Sequence, residues 1–109
     1  MIYRIKYSPA FHADMISFIS NMEQYPNKEL RIVEQLDKRL SALMDAPEMY
    51  PVYEDFPPFR KITIEDYLAF YTINKHTEII QIHRLIYGEM DIPKQLEETS
   101  LKHRITRPP

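Results

Sequence analysis

The sequence predicts an α+β domain. Its element order reads β-α-α-β-β-β(-α), with a mostly antiparallel four-stranded sheet packed against a helical hairpin. Three observations carry this. Residues 2–7 alternate, with Tyr3, Ile5 and Tyr7 opposite Arg4 and Lys6, the period of a half-buried strand. Two apolar stripes of helical spacing follow, divided by Pro26 and closed by Pro47. From Phe59 onward, short apolar blocks are separated by turn-forming pieces, which reads as a meander.

Each element has its own justification. Ser8-Pro9-Ala10 starts the first helix, with Ser8 at the N-cap and Pro9 at the first helical position. Phe11, Met15, Phe18, Ile19 and Met22 then form its inner face, to about Tyr25. Pro26 stops that helix and Asn27 is placed to cap the next. Leu30, Val33, Leu36, Leu40, Leu43 and Met44 form the second stripe, while Glu34 and Lys38 make a favourable pair four apart on the wet side. The stretch Glu48 to Pro58 holds too many prolines for a central strand. Phe59 to Ile64 reads as a strand, turned at Glu65-Asp66. Tyr67 to Ile73 is apolar on both faces, as in mid-sheet. Asn74-Lys75-His76-Thr77 makes a turn, Glu78 to Tyr87 the third strand of the meander, and Asp91 caps a last helix through Leu101. The expected core is Phe18, Ile19, Val33, Leu36, Leu40, Ile62, Phe70 or Tyr71, Ile80 and Ile82.

With 109 residues the chain is one domain, residues 1–101, followed by a basic tail, residues 102–109, expected to be mobile. No cysteine is present, which removes disulfides and cysteine-ligated metals and fits a reducing cytoplasm. His12 and His76 have no ligand spacing, so no metal or other cofactor is expected. No apolar run approaches a membrane span, and Met1 leads straight into the first strand, which implies no signal peptide. The formal net charge is −2; the last eight residues hold three cations and no acid, so the other 101 carry a net of −5. A protein that grips phosphate backbones ordinarily presents a basic surface, and this one does so only through its tail.

The stretch Ile79 to Pro93 holds the most chemistry. A β-branched run carries Arg84 in mid-strand, where an unpaired charge would be costly. It breaks at Gly88, the only glycine, which reads as kept for its backbone freedom at a strand exit. Arg84 shares the parity of Ile80, Ile82 and Ile86, while His83 and Tyr87 share the opposite face with Gln81, unless a bulge intervenes. Arg60 shares the parity of Ile62 and Ile64, so Arg60 and Arg84 fall on one face. The plain structural readings are an ion pair of Arg84 with Glu65, Asp66 or Asp91, a surface position for His83, edge packing for Tyr87 and a solvated Lys61.

The order and wording of these pieces resemble the RelE/ParE superfamily, the toxins of bacterial type II toxin–antitoxin modules. The resemblance rests on the opening strand with Ser8-Pro9-Ala10, on Pro47, on Phe59-Arg60-Lys61-Ile62, on Tyr67-Leu68-Ala69-Phe70-Tyr71, and on Ile82 to Asp91. It spans about residues 2–97 and is closer to the ParE-like branch. It implies a RelE/ParE-like fold and a cytoplasmic growth inhibitor neutralised by a cognate antitoxin. The implied targets are DNA gyrase or the ribosome with its mRNA, with no membrane and no small-molecule substrate. The catalytic positions carried over are Arg60, Arg84 and Tyr87; His83 and Lys61 are further candidates for base or cation. Four departures bear on activity. The family commonly has an arginine where Leu68 stands, and ParE-like members commonly read His-Gly-Arg-Arg-Asp where this chain has Tyr87-Gly88-Glu89-Met90-Asp91. Cations are thereby lost where cleavage of RNA needs them to hold phosphorane charge. Three activities stay open: a toxin of gyrase, a ribosome-dependent mRNA endonuclease, and a non-toxic member that binds a partner. An antitoxin segment is expected in the groove between the helices and the sheet, together with the exposed face of the meander, with Tyr50, Tyr53 and Phe56 contributing.

Overall fold

The computed structural model describes residues 2–103. Its elements are β1 (Arg4–Tyr7), α1 (Pro9–Asn21), α2 (Pro26–Leu43), β2 (Arg60–Ile64), β3 (Tyr67–Asn74), β4 (Ile79–Tyr87) and α3 (Ile92–His103). The strands lie in the order β1-β4-β3-β2. β2, β3 and β4 form the antiparallel meander. β1 joins it parallel to β4, from Arg4 opposite Ile79 to Tyr7 opposite Ile82, so the sheet is mixed. The α1–α2 hairpin carries the chain from β1 at one edge of the sheet to β2 at the other, and the meander brings β4 back beside β1.

Local chemistry explains the helix ends. The Ser8 hydroxyl accepts from the Phe11 amide at 3.0 Å and donates to the His83 carbonyl at 2.8 Å. It therefore caps α1 and ties it to β4. α2 starts at Pro26 itself, with Tyr25 at the N-cap and no side-chain cap bond. The expected cap at Asn27 is displaced because proline is favoured at a first helical position, where no amide hydrogen bond is lost. Asp91 caps α3 with its carboxylate 3.3 Å from the Lys94 amide.

Two apolar clusters sandwich the sheet. The larger joins Phe11 and Phe18 of α1, its C-cap Met22, and Ile32, Leu36, Leu40 and Leu43 of α2 to Ile62, Tyr71, Ile80, Ile82 and Leu85 of the sheet. The smaller lies on the other face, where Phe56, Phe59, Phe70 and Ile86 pack against Ile92 and Leu96 of α3. Phe70 and Tyr71 are thus both core, on opposite faces. The expected stripes need correction. Ile19 is 51% exposed, Leu30 58% and Val33 36%, while Ile32 is fully buried. α2 buries the row 32, 36, 40, 43, a single ridge of i+4 and i+3 steps. Leu30 and Val33 sit on its flank. Phe56, expected at the surface, is buried as well.

A register shift between Phe70 and Tyr71 decides the faces of β4. Phe70 stands opposite Arg84 and Tyr71 opposite Ile82, which leaves His83 as the extra residue of a bulge. Strand parity flips there. Ile80 and Ile82 enter the larger cluster, but Ile86 enters the smaller one, and Leu85 takes the larger-cluster side. The loop before β2 covers that strand's outer edge through Tyr53 N–H to the Phe59 carbonyl (2.8 Å) and Lys61 N–H to the Pro51 carbonyl (3.2 Å). The turns at either end of β3 hold Glu65 at φ 55° and Glu78 at φ 58°, both left-handed. Among the described residues, no helix is long and apolar enough to cross a membrane.

Candidate functional site

Beyond Tyr7, β1 no longer covers β4, and α1 takes over the strand's flank. Asp14 of α1 reaches into that gap. Its carboxylate accepts the Leu85 backbone amide at 2.9 Å and both Nε and Nη2 of Arg84, at 2.7 and 3.0 Å. Nη1 of Arg84 donates to Gln95 Oε1 and to Thr99 Oγ1, each at 3.2 Å, from α3. Both charged side chains are largely buried, Arg84 at 16% and Asp14 at 15% exposure. A guanidinium has five N–H donors, and four bonds here use most of them. Arg84 therefore clamps α1, β4 and α3 together, and a phosphate would have to displace Asp14 to reach it.

The ion pair expected for Arg84 exists, with Asp14 rather than with Glu65, Asp66 or Asp91. Those three carboxylates are engaged elsewhere. Glu65 receives Arg31 Nε at 2.7 Å, Arg31 Nη2 at 2.8 Å and Gln35 at 2.8 Å. These bonds, Arg31 first, hold its carboxyl at about 2. Asp66 pairs with Lys28 at 2.8 Å, which raises the lysine's pKa through that bond. Asp91 caps α3. Asp14 was not legible as a partner because it lies 70 residues from Arg84, and nothing in local spacing marks it.

Arg84 and Tyr87 come together; Arg60 does not join them. A cleft of about 490 Å³ opens between α1, the start of α2 and the end of β4, with Asp14, Lys28, Asp66, Tyr67, Arg84 and Tyr87 on its walls. The Tyr87 ring meets Tyr67 edge-on at 5.5 Å and remains 37% exposed. Arg60 stands opposite Tyr71 on β2, whereas Tyr87 stands opposite Tyr67. Four residues of β3 separate the two positions, about 13 Å of strand. Arg60 Nη1 donates to the Tyr50 carbonyl at 2.7 Å, fastening the proline-rich loop. Beside it, burial pushes the Tyr71 phenol up to about 12, and its hydroxyl donates to the Pro47 carbonyl at 2.7 Å. Arg60 and Arg84 also lie on opposite faces, because the bulge at His83 reverses the parity that placed them together.

The other singled-out positions are equally definite. His83 is 3% exposed rather than at the surface, with Nε2 2.8 Å from Thr72 Oγ1 and its ring edge-on to Phe59 at 5.2 Å. Lys61 lies 5.4 Å above the Tyr53 ring, a cation–π contact rather than free solvation. Leu68 packs against the smaller cluster. Gly88 does not adopt a positive φ. What its lack of a side chain permits is close approach: its amide donates to the Asp66 carbonyl at 2.8 Å, and a Cβ would sit 3.2 Å from that oxygen. Glu89 and Met90 are exposed past the strand end. Among the described residues, no group of histidines and acids could hold a metal ion.

The comparisons with known proteins agree with this architecture. A mutant form of the E. coli toxin RelE in the free state is similar over 97% of this chain and 100% of its own, with a TM-score of 0.64 at 16% identity, which shows a shared fold. No curated protein sequence matches. The family model described as the ParE toxin of the type II toxin–antitoxin system parDE matches residues 5–92. With that match across most of the domain, the chain belongs to the ParE toxin family and is the toxin component of a type II toxin–antitoxin system.

Proposed function

We propose that this toxin arrests growth through a protein target such as DNA gyrase, in the cytoplasm, and not by cutting mRNA on the ribosome. One observation carries the reading: Arg84, the cation best placed for phosphoryl chemistry, is held by Asp14, Gln95 and Thr99. Leu68, at the position where the superfamily commonly has an arginine, is packed in apolar surroundings. Loss of a single contact to developing charge costs about 3 kcal/mol, and here two are absent. A net of −5 before the tail further opposes docking among rRNA phosphates. We assign the target contact to the cleft flanked by Arg84 and Tyr87, while Arg60 fastens the proline-rich loop away from it.

A type II toxin has a cognate antitoxin. We assign its docking segment to the groove between α1 and α2, about 260 Å³, where Tyr7, Phe11, Met15, Val33 and Leu40 present apolar surface. An amphipathic segment that folds on binding suits such a groove.

The test is induction of the toxin alone in a bacterium, beside Arg60→Ala, Arg84→Ala and Tyr87→Ala. Growth arrest with intact mRNA and a DNA-damage response supports the gyrase-type target. Cleavage of mRNA in ribosomal A-site codons, lost in Arg60→Ala and Arg84→Ala, overturns it in favour of the nuclease. Unimpaired growth at high expression overturns it in favour of a partner-binding protein without toxicity.

A further inference from the structure

A second cavity lies away from the Arg84–Tyr87 cleft and shares no lining residue with it. It opens on the outer part of the sheet, over β1, β4 and the end of β3, and has a volume of about 610 Å³. Small-ligand clefts span about 300–1,000 Å³.

Its lining is unusual for this chain. Acids outnumber cations 16 to 14, and three other clefts each carry a carboxylate: Asp14 and Asp66, Glu54 and Asp55, or Asp37. This cavity has none. Its polar walls include Lys6, Tyr7, Ser8, Thr72, Asn74, Thr77, Gln81 and His83. Lys6 is exposed and forms no ion pair among the described residues. It stands opposite Gln81 in the register of β1 and β4, so the two side chains leave the same face of the sheet. The Asn74 side-chain oxygen is used by the amides of His76 and Thr77, at 3.0 and 3.1 Å. That geometry leaves the Asn74 amide group as a donor. On the floor, His83 is fixed through Thr72 at 2.8 Å.

From this we infer that the cavity over β1 and β4 binds a small organic phosphate, with a ribonucleotide as the form that uses all of it. Lys6 supplies the charge for the phosphate, and the Asn74 and Gln81 amides and the Thr77 hydroxyl supply neutral donors. Amides and hydroxyls offer both donor and acceptor atoms, which suits the hydroxyls of a ribose and the edge of a base. The absence of any carboxylate removes the repulsion that an anion meets at the other clefts. This site is separate from the Arg84–Tyr87 cleft and adjoins the antitoxin groove, with which it shares Tyr7, and no small molecule was expected from the sequence.

Amide NMR spectra of the full chain, titrated separately with adenosine 5′-monophosphate, ribose 5-phosphate, adenosine and inorganic phosphate, test the proposal. The expected result is saturable shifts at Lys6, Asn74, Thr77 and Gln81 with the nucleotide, weaker ones with the sugar phosphate and inorganic phosphate, and none with adenosine. Lys6→Ala, an exposed position that does not disturb folding, should weaken nucleotide binding by about tenfold, the loss of one charge-assisted contact. Gln81→Ala should weaken the nucleotide more than inorganic phosphate. A short single-stranded RNA that saturates the same amides more tightly would identify a strand, rather than a free nucleotide, as the source of the phosphate. No shifts at these residues, equal shifts with adenosine, or unchanged affinity in Lys6→Ala would overturn the proposal.

Discussion

At the scale of single residues, Asp14 holds the greatest consequence. It satisfies the Arg84 guanidinium and the Leu85 amide at once. Removing one partner of a buried pair leaves the other uncompensated, at about 3–5 kcal/mol. Asp14→Ala is therefore expected to lose most of that range in urea unfolding, and the double variant Asp14→Ala with Arg84→Met to recover part of it. Glu65 gives a pH signature. Its carboxyl is held at about 2 against an ordinary 4.5, chiefly by the hydrogen bond from Arg31. A depressed carboxylate stabilises the fold above its unfolded pKa and loses that contribution as pH falls through the folded one. Melting temperature should thus fall between about pH 4.5 and pH 2, and Glu65→Gln should flatten that slope. Of these residues, Arg84 announced itself in the sequence because a cation in a β-branched run needs a partner. Its partner did not, because ion pairing across 70 residues has no local trace.

At the scale of elements, helical period established that α1 and α2 exist and that each has one apolar face. It did not choose which flank faces the sheet. α2 carries Leu30, Ile32, Val33, Leu36, Leu40 and Leu43, a stripe wider than the face the sheet can cover, so packing selects the 32-36-40-43 ridge. Leu36→Ala is expected to cost about 2–5 kcal/mol by leaving a cavity. Val33→Ala and Ile19→Ala should stay within about 0.5 kcal/mol; equal losses at Leu36 and Val33 in denaturant titrations would contradict this packing. The same limit applied to β4. Strict alternation puts Arg60 and Arg84 on one face, and the bulge at His83 separates them. A bulge of one residue has no sequence marker here, since neither glycine nor proline is present at it.

At the scale of the whole molecule, the two helices of the hairpin leave apolar side chains uncovered: Ile16, Ile19, Leu30 and Val33 are all exposed. Co-expression with the neighbouring antitoxin is expected to yield a stable complex and to raise the melting temperature with antitoxin concentration, as ligation of the native state requires. Val33→Asp, in the wall of that groove, should weaken that complex while leaving the isolated fold intact. Recovery of no complex with an adjacent-gene product would contradict the assigned groove.

The sequence by itself determined the order of elements, the cap at Ser8 and both turns of the meander, because these rest on local chemistry and short spacing, and the wording of those pieces carried the resemblance to the family. Only the tertiary structure decided the rest: β1 pairing in parallel with β4, two clusters instead of one core, the clamp of Asp14 on Arg84, and the acid-free cavity beside Lys6. Each joins residues far apart in the chain, and contacts of that kind are set by how packed faces meet, which no period of 2 or 3.6 residues encodes.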